Sequence, residues 1–307
     1  MLTRKIVLSD FENVFPVPPL ARSKDISRSI SAAENKKIID RIESAGARVL
    51  IYGGNAVFYH ITLKEYETAL SMLSELAGED TWVIPSVGPS FGLAMDQAEI
   101  LKDTNYPVAM YLPANDPKVP EGLYRGISEF VQKSGKQVIV YIKAETNFTI
   151  EYVAKLFENG SVVGTKYAIV RDDPSKDEYL KRLLDSVDRR SVISGIGERP
   201  ACVHMLQFRL PGYTTGSGCL APKATLKMFH QLQAGNYEEA ELIRERFLPF
   251  EDLRDQWNPI RVLHEAYRLT GLANTGPIPP LLSNISYEQA NTVEPVAKAL
   301  LDYEDSI

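Results

Sequence analysis

Short apolar runs alternate with longer amphipathic segments from near the start of the chain to about residue 235. Runs such as Val49–Tyr52 and Val138–Tyr141 have the length and β-branched content of buried strands, and the segments between them carry apolar residues at helical spacing. About eight strand–helix units fit into this length, which is typical of a (β/α)8 barrel. The competing architecture is a doubly wound open sheet, but no G-x-G-x-x-G fingerprint follows the first strand. We therefore predict an α/β fold, a (β/α)8 TIM barrel over residues 1–235 with a C-terminal helical extension over residues 236–307.

Capping patterns predict several helix boundaries. Thr62-Leu63-Lys64-Glu65 has the spacing of a capping box and predicts a helix start at residue 63. Asp173-Pro174 pairs a cap residue with a first-turn proline and predicts the start of the sixth helix. An apolar stripe from Ile26 to Ala45 predicts the first helix, and Gly212–Gly218 is interpreted as a final weak strand or a loop.

Composition excludes several classes of partner. The 307 residues carry a formal net charge of -6, so a basic face for nucleic acid or an anionic membrane is not expected. No run of about 18 apolar residues predicts a membrane span, and the first 19 residues do not have the pattern of a signal peptide. The two cysteines, Cys202 and Cys219, do not form a CxxC pair, which fits a reducing compartment. We expect a cytoplasmic protein.

Lys166 ends an apolar run, Ser161–Lys166, that follows the helix-stop signal Asn159-Gly160. If the run is a buried strand, its last residue carries an amine to the mouth of the barrel. Partial loss of water there lowers the pKa of a lysine and makes the amine a nucleophile that can form a Schiff base with a ketone. On the run alone, a solvated strand end is the usual explanation for such a lysine.

In a barrel of this kind the active site lies at the carboxyl ends of the strands. Polar or small residues occupy these positions after strands two, five and seven: Gly54, Asn55, Tyr141, Ser194 and Gly195. Tyr141 and Lys166 are expected on adjacent strands, where a phenol can carry protons to and from a carbinolamine. Packing at the top of the barrel is the alternative role for Tyr141.

The sequence predicts neither a metal site nor a cofactor. Its four histidines show no H-x-H or HExxH spacing. Asp172-Asp173 is better explained as a helix cap than as a metal ligand pair. The glycine-rich segment Thr214–Gly218 lacks the lysine of a P-loop and is interpreted as a flexible loop.

The chain resembles the dihydrodipicolinate synthase / N-acetylneuraminate lyase family of class I aldolases. Gly53–Phe58 with Ile61–Glu65 is similar to the family's G-T-T-G-E-F…L-T-x-x-E, and Val163–Lys166 is similar to its V-G-x-K. The post-barrel segment carries further similarity in Ala221–Lys223, Leu232–Asn236 and Glu239-Ala240. The resemblance implies a (β/α)8 barrel that assembles as a homo-oligomer, a tetramer or a dimer. It also implies that Lys166 condenses with the keto group of a 2-oxo acid and that Tyr141 relays protons.

Three departures from the family pattern bear on function. The two family threonines that pass protons to the tyrosine fall on Gly54 and Asn55, which have no hydroxyl. The arginine that binds the synthase's second substrate is absent from Ile142–Asn147, where Lys143 offers only a point charge. The tyrosine that the synthase donates across its dimer interface falls near Asn115.

Together these features predict a Schiff-base lyase or dehydratase acting through Lys166 on pyruvate-like or sugar-derived 2-oxo acids. Asn55, Ser194 and Gly195 are expected to hold the substrate, together with Gly54 and Lys143. Dihydrodipicolinate synthase activity proper and a turnover-deficient member that only binds a 2-oxo acid are the alternatives. The only partners expected are this small-molecule substrate and other copies of the chain.

Overall fold

A computed structural model describes residues 1–114 and 117–307. The position near Asn115, where the family's interface tyrosine falls, lies outside the described residues. All the strands pair in parallel, in the spatial order β1-β8-β7-β6-β5-β4-β3-β2. They are β1 Val14–Pro16, β2 Val49–Tyr52, β3 Trp82–Val87, β4 Val108–Tyr111, β5 Gln137–Ile142, β6 Val162–Tyr167, β7 Val192–Ser194 and β8 Tyr213–Thr215.

The strands alternate with helices, and three more helices follow. The helices are α1 Ala32–Ser44, α2 Leu63–Leu76, α3 Phe91–Lys102, α4 Pro120–Ser134, α5 Ile150–Glu158, α6 Glu178–Ser186, α7 Ala201–Leu206, α8 Pro222–Ala234, α9 Tyr237–Trp257, α10 Pro259–Leu269 and α11 Tyr287–Asp305. β1 and β2, at the two ends of the strand order, pack against each other and nearly close the sheet. The predicted (β/α)8 barrel with a C-terminal helical extension is confirmed.

Along each strand, side chains point alternately into the barrel and outward to the helices, and residues paired in register on neighbouring strands point the same way. Ile51 pairs with Ile84, and Met110 pairs with Ile139, and all four side chains are fully buried. The intervening residues face the helices. The same alternation decides which residues at the carboxyl ends of the strands face the interior.

The extension is tied to the barrel by packing and by a buried carboxylate. α9 packs on α8 and on α10, and α11 packs on both α9 and α10. Glu304 of α11 accepts hydrogen bonds from the backbone N–H groups of Lys223 and Ala224 at 3.0 and 2.8 Å. These are first-turn donors of α8, which have no partner within their own helix, so the carboxylate caps α8.

Two predicted helix starts are wrong. α1 begins at Ala32, capped by Ser31, and Ile26 is 99% exposed because the residues before Ser31 form surface turns. α6 begins at Glu178, where Asp177 accepts from the N–H of Leu180 at 3.0 Å. The capping box at Thr62 and Glu65 is confirmed.

Candidate active site

Lys166 and Tyr141 lie side by side at the carboxyl end of the barrel. They are partners in the register of β6 and β5, so both side chains point to the same face of the sheet. The Nζ atom of Lys166 stands 4.1 Å from the centre of the Tyr141 ring, and the two residues are 5% and 9% exposed. The structure therefore brings together the two residues that the sequence placed on adjacent strands.

The pKa of Lys166 is lowered to about 7, chiefly by burial and then by the positive charges of Lys143 and Arg254. Burial removes the water that stabilises an ammonium group, and like charges add to the penalty. The stacked phenyl face of Tyr141 contacts the amine without supplying a negative charge. Near neutral pH a substantial fraction of this lysine is a free amine, the form that attacks a carbonyl carbon.

The pKa of Tyr141 is shifted in the opposite direction to that of Lys166. Burial raises the pKa of its phenol to about 12, because the phenolate is the form that loses most by desolvation. The hydroxyl therefore stays protonated near neutral pH. A protonated phenol next to a free amine can donate a proton to an oxygen that leaves the carbon under attack.

Gly195 makes room for the lysine. An ideal Cβ on this glycine would stand 2.9 Å from Cγ of Lys166 and 2.7 Å from the carbonyl oxygen of Tyr167. Its N–H donates to that same carbonyl at 2.6 Å, which extends the pairing of β6 and β7 beyond the end of β7. Gly195 thus lies against the aliphatic stem of Lys166.

The loop after β2 carries Gly54 and Asn55, and it is held from two sides. Nδ2 of Asn55 donates to the carbonyl of Val17 at 2.6 Å, and Nε2 of His264 donates to the carbonyl of Asn55 at 2.9 Å. The side-chain amide of Asn55 therefore joins the loop to the chain after β1. In the part of the chain that the structure describes, the N–H groups of Gly54, Asn55 and Ala56 donate to no other residue.

Ser194 is not brought together with Lys166. It is in register with Tyr167, whose hydroxyl contacts Asp177 in the helix layer, and its own Oγ is hydrogen bonded to Nδ1 of His204 at 2.8 Å. The seventh strand presents Ile193, not Ser194, to the same face as Lys166. Lys143 follows β5, is exposed, and adds positive charge near the lysine.

Arg254 is a residue that the sequence analysis missed. It belongs to α9 in the extension, yet it is only 7% exposed and contributes to the electrostatic environment of Lys166. Its guanidinium covers Gly216, where an ideal Cβ would stand 2.6 Å from Cζ. No local motif marks it, because an arginine in a helix rich in charged residues is usually solvated.

Over residues 1–114 and 117–307, no group of three or more histidine, cysteine, aspartate and glutamate side chains is arranged to hold a metal ion. No helix in those ranges has the length and apolar character needed to span a bilayer.

The fold and the site define a class, a (β/α)8-barrel protein with a buried lysine–tyrosine pair at the carboxyl ends of its strands. The model of the Dihydrodipicolinate synthetase family matches residues 18–300. The chain belongs to this family, which confirms the resemblance seen in the sequence.

Named relatives of the chain are lyases, dehydratases and synthases. One, named "Probable 5-dehydro-4-deoxyglucarate dehydratase", comes from Rhizobium meliloti (strain 1021) and is 23% identical over 262 residues, 82% of this chain and 84% of the relative. The solved dihydrodipicolinate synthase from Bacillus clausii superposes with a TM-score of 0.83 at 22% identity, covering 95% of this chain and 99% of that one. N-acetylneuraminate lyase from Fusobacterium nucleatum gives a TM-score of 0.79 at 16% identity, with 95% and 99% covered. At these identities the structures support the fold.

Proposed function

We propose that this protein is a dehydratase that forms a Schiff base between Lys166 and a sugar-derived 2-oxo acid. The observation that carries the proposal is the buried Lys166 amine stacked 4.1 Å from the Tyr141 ring centre. An amine with a pKa near 7 is nucleophilic at neutral pH, and the adjacent phenol can supply and recover a proton. The names of the sequence relatives support a sugar-acid dehydratase within the family.

The steps follow from imine chemistry. The Nζ atom of Lys166 attacks C2 of the substrate, and the resulting carbinolamine loses its oxygen as water with a proton from Tyr141. The iminium withdraws electrons, so the phenolate left on Tyr141 takes a proton from C3 and an enamine forms. The enamine expels the hydroxyl at C4 as a second water, and Tyr141 delivers that proton to the leaving oxygen. Addition of one water to the conjugated iminium frees Lys166 and the product and returns a proton to Tyr141, so the net change is loss of one water.

The loop after β2 is the proposed anchor for the carboxylate next to the keto group. The N–H groups of Gly54, Asn55 and Ala56, which donate to none of the described residues, are donors that a carboxylate can use. Asn55 contributes through its backbone in this proposal, because its side-chain amide is engaged with Val17. Lys143 adds an exposed positive charge near Lys166, and Gly195 supplies space rather than a hydrogen-bonding side chain.

Borohydride trapping tests the covalent step. The protein is incubated with pyruvate and sodium borohydride, and the intact mass and peptide map are measured. We expect one reduced adduct at Lys166 and none in Lys166→Met. Lys136→Met is the matched control, since Lys136 is also partly buried but donates to the carbonyl of Thr104. Absence of any adduct at Lys166 contradicts the proposal.

Turnover separates a dehydratase from a member that only binds. The wild-type protein is given 5-dehydro-4-deoxyglucarate, and the loss of substrate is followed by mass spectrometry. Product formation that requires Lys166 supports a dehydratase. An adduct without product on any sugar-derived 2-oxo acid supports the turnover-deficient alternative, which the missing hydroxyls at Gly54 and Asn55 motivate.

A further inference from the structure

We propose that Tyr59 is a second proton-transfer residue of the site, which exchanges protons between Tyr141 and the solvent through a bridging water molecule. The inference rests on the proposed Schiff-base function and adds a residue to its mechanism. Tyr59 belongs to a short 3-10 helix, Phe58–His60, in the loop after β2. The two loop positions singled out in the sequence, Gly54 and Asn55, carry no hydroxyl, whereas Tyr59 does.

Tyr141 needs a partner because it alternates between phenol and phenolate in the proposed steps. Its side chain is only 9% exposed, and burial raises the pKa of its phenol to about 12. A phenolate in this position has lost most of its hydration, so a hydrogen-bond donor that reaches it stabilises the charged form. The same donor can return a proton to the phenolate.

The loop after β2 starts on the face of the sheet that carries Tyr141. An ideal Cβ on Gly53 would stand 2.6 Å from Oγ of Ser86 and 2.8 Å from Cε of Met110. Ser86 is in register with Met110, which is in register with Ile139. Ile139 lies two residues before Tyr141 on β5, so these two side chains share a face. Gly53 therefore faces the barrel interior, where Tyr141 also lies.

Tyr59 is folded back onto the start of this loop. The N–H of Phe58 donates to the carbonyl of Gly53 at 3.1 Å, which brings the two ends of the loop together. The Tyr59 ring then packs over Gly54, with Cε2 3.9 Å from the position of an ideal Cβ. Cε2 is bonded to the carbon that carries the hydroxyl, so the hydroxyl end of the ring lies beside Gly54.

The two phenols interact electrostatically. The pKa of Tyr59 is raised far above its ordinary value, chiefly by burial and then by the negative charge that Tyr141 can carry. No hydrogen bond from a described residue contributes to the pKa of either phenol. The shift is larger for Tyr59, so Tyr59 keeps its proton, and remains a donor, while Tyr141 is a phenolate. Tyr59 is also the more exposed of the two and reaches the solvent.

The proposed path conserves protons. Water can bridge two polar groups that do not touch. While Tyr141 is a phenolate, the bridging water donates one proton to it and receives the proton of Tyr59, and Tyr59 takes a proton from the solvent. The net change is entry of one solvent proton at Tyr141, and the reverse sequence releases one. The hydrogen bond donated along this path also stabilises the phenolate in both steps that form it.

Deuterium exchange into pyruvate tests the path without a full turnover. In D2O, deuterium enters the methyl group only after the Schiff base forms, Tyr141 removes a methyl proton and that proton is exchanged for solvent deuterium. Incorporation is followed by proton NMR, and Lys166→Met gives the uncatalysed background. The pyruvate concentration that half-saturates the borohydride adduct at Lys166 is measured in parallel.

Tyr59→Phe keeps the ring over Gly54 and removes the hydroxyl. We expect an unchanged half-saturating concentration, because Tyr141 and Lys166 stay in place. Deuterium incorporation should fall by roughly 10- to 100-fold, the range for a hydrogen bond to a charged group. Tyr287→Phe is the matched control, since that side chain is 77% exposed on α11, and it should exchange like the wild type.

A serine at position 54 supplies a replacement hydroxyl. Gly54 does not have a left-handed backbone, and Cε2 of Tyr59 is the described atom within 4 Å of its Cβ position, so a serine fits. In the Tyr59→Phe background, we expect Gly54→Ser to restore part of the exchange and Gly54→Ala to restore none. Equal recovery with serine and alanine would assign the effect to packing and overturn the relay.

The outcomes distinguish the two proposals. Deuterium incorporation in Tyr59→Phe equal to that in the wild type overturns the role of Tyr59, while an adduct at Lys166 still upholds the Schiff base. A fall in incorporation matched by an equal rise in the half-saturating concentration also overturns it, because the variant has then displaced the site. If pyruvate gives no adduct in the wild-type protein, the proposed function fails and the relay with it.

Discussion

The backbone of Gly195 and the side chain of Lys166 approach so closely that a Cβ on the glycine would stand 2.9 Å from Cγ of the lysine. The carbonyl of Tyr167 blocks the same space at 2.7 Å, so the backbone cannot shift toward β6 to relieve the contact. Even one added methyl group therefore has to push the lysine stem away from its position over the Tyr141 ring.

Gly195→Ala is expected to lose reactivity at Lys166. Displacement of the amine by about 1 Å can reduce rates by about 100-fold, and we expect at least a 10-fold slower adduct with pyruvate. Overpacking should also lower the free energy of unfolding by about 1–3 kcal/mol. Rapid-quench trapping and urea denaturation provide the two measurements. Gly92→Ala in α3 is the control, because nothing lies within 4 Å of its Cβ position. Equal adduct rates in both variants would show that the contact does not position the lysine.

The pH profile of catalysis should report the free amine of Lys166. Since its pKa is about 7 and the neutral form is the nucleophile, kcat/KM should rise with pH and level off above about 7. Lys143→Met removes one of the positive charges that lower this pKa, so the midpoint should move to higher pH. The shift should be smaller than about one unit, because Lys143 is exposed and its charge is screened. A midpoint that stays fixed or moves to lower pH contradicts this electrostatic coupling.

Lys166 should also make stability depend on pH. The unfolded chain holds the lysine proton up to about pH 10.5, while the folded protein releases it near pH 7, so the unfolded state binds more protons between these values. Stability should therefore rise with pH across this window, and the folded state should carry a penalty of roughly 5 kcal/mol below it. Lys166→Met has no such penalty. Its free energy of unfolding, measured by chemical denaturation, should exceed that of the wild type at pH 7, and the difference should shrink between pH 7 and pH 10. A constant difference would mean that the lysine is charged when buried.

Tyr141→Phe removes the hydroxyl and keeps the ring, so it distinguishes the roles of the two. The phenyl face that packs on the amine is retained, so the protein should fold and Lys166 should still form an adduct, but more slowly, because the carbinolamine also loses water with the proton of Tyr141. Loss of the proton donor should slow dehydration by about 10²- to 10⁴-fold. Tyr152→Phe is a matched control, because that ring also contacts a lysine amine, Lys155 at 4.8 Å, on the surface of α5. Turnover in Tyr141→Phe equal to that in Tyr152→Phe would remove the phenol from the mechanism.

The sequence predicted the barrel and the Lys166–Tyr141 pair because both depend on local signals. Apolar runs of strand length locate the strands, and in a parallel barrel the ends of consecutive strands are neighbours. Capping was less reliable where two acidic residues compete, as at Asp173 and Asp177. Asp173 accepts from the N–H of Ser175 at 3.0 Å within a turn, and the helix begins only after Asp177, which caps it.

Two features of the site could not be predicted from the sequence and are seen only in the structure. A shift of one residue in register moves a side chain to the other face of its strand. The observed register places Ser194 in the helix layer and Ile193 on the face of Lys166. Arg254 is 88 positions after Lys166, counting from their residue numbers, and no periodicity or motif links a helix of the extension to the barrel mouth. Long-range packing of this kind is invisible in a local pattern.

Ser194→Ala tests the orientation of that residue directly. The hydroxyl is fully buried and hydrogen bonded to Nδ1 of His204 at 2.8 Å. Burial lowers the pKa of His204 to about 4, so the ring stays neutral and its nitrogen is left without a partner in the variant. An unpaired buried polar group costs about 1–3 kcal/mol of stability, whereas KM for the 2-oxo acid should be unchanged. Ser186→Ala, at an exposed position on α6, should alter stability by less than about 0.5 kcal/mol. A raised KM with unchanged stability in Ser194→Ala would instead place its hydroxyl against the substrate.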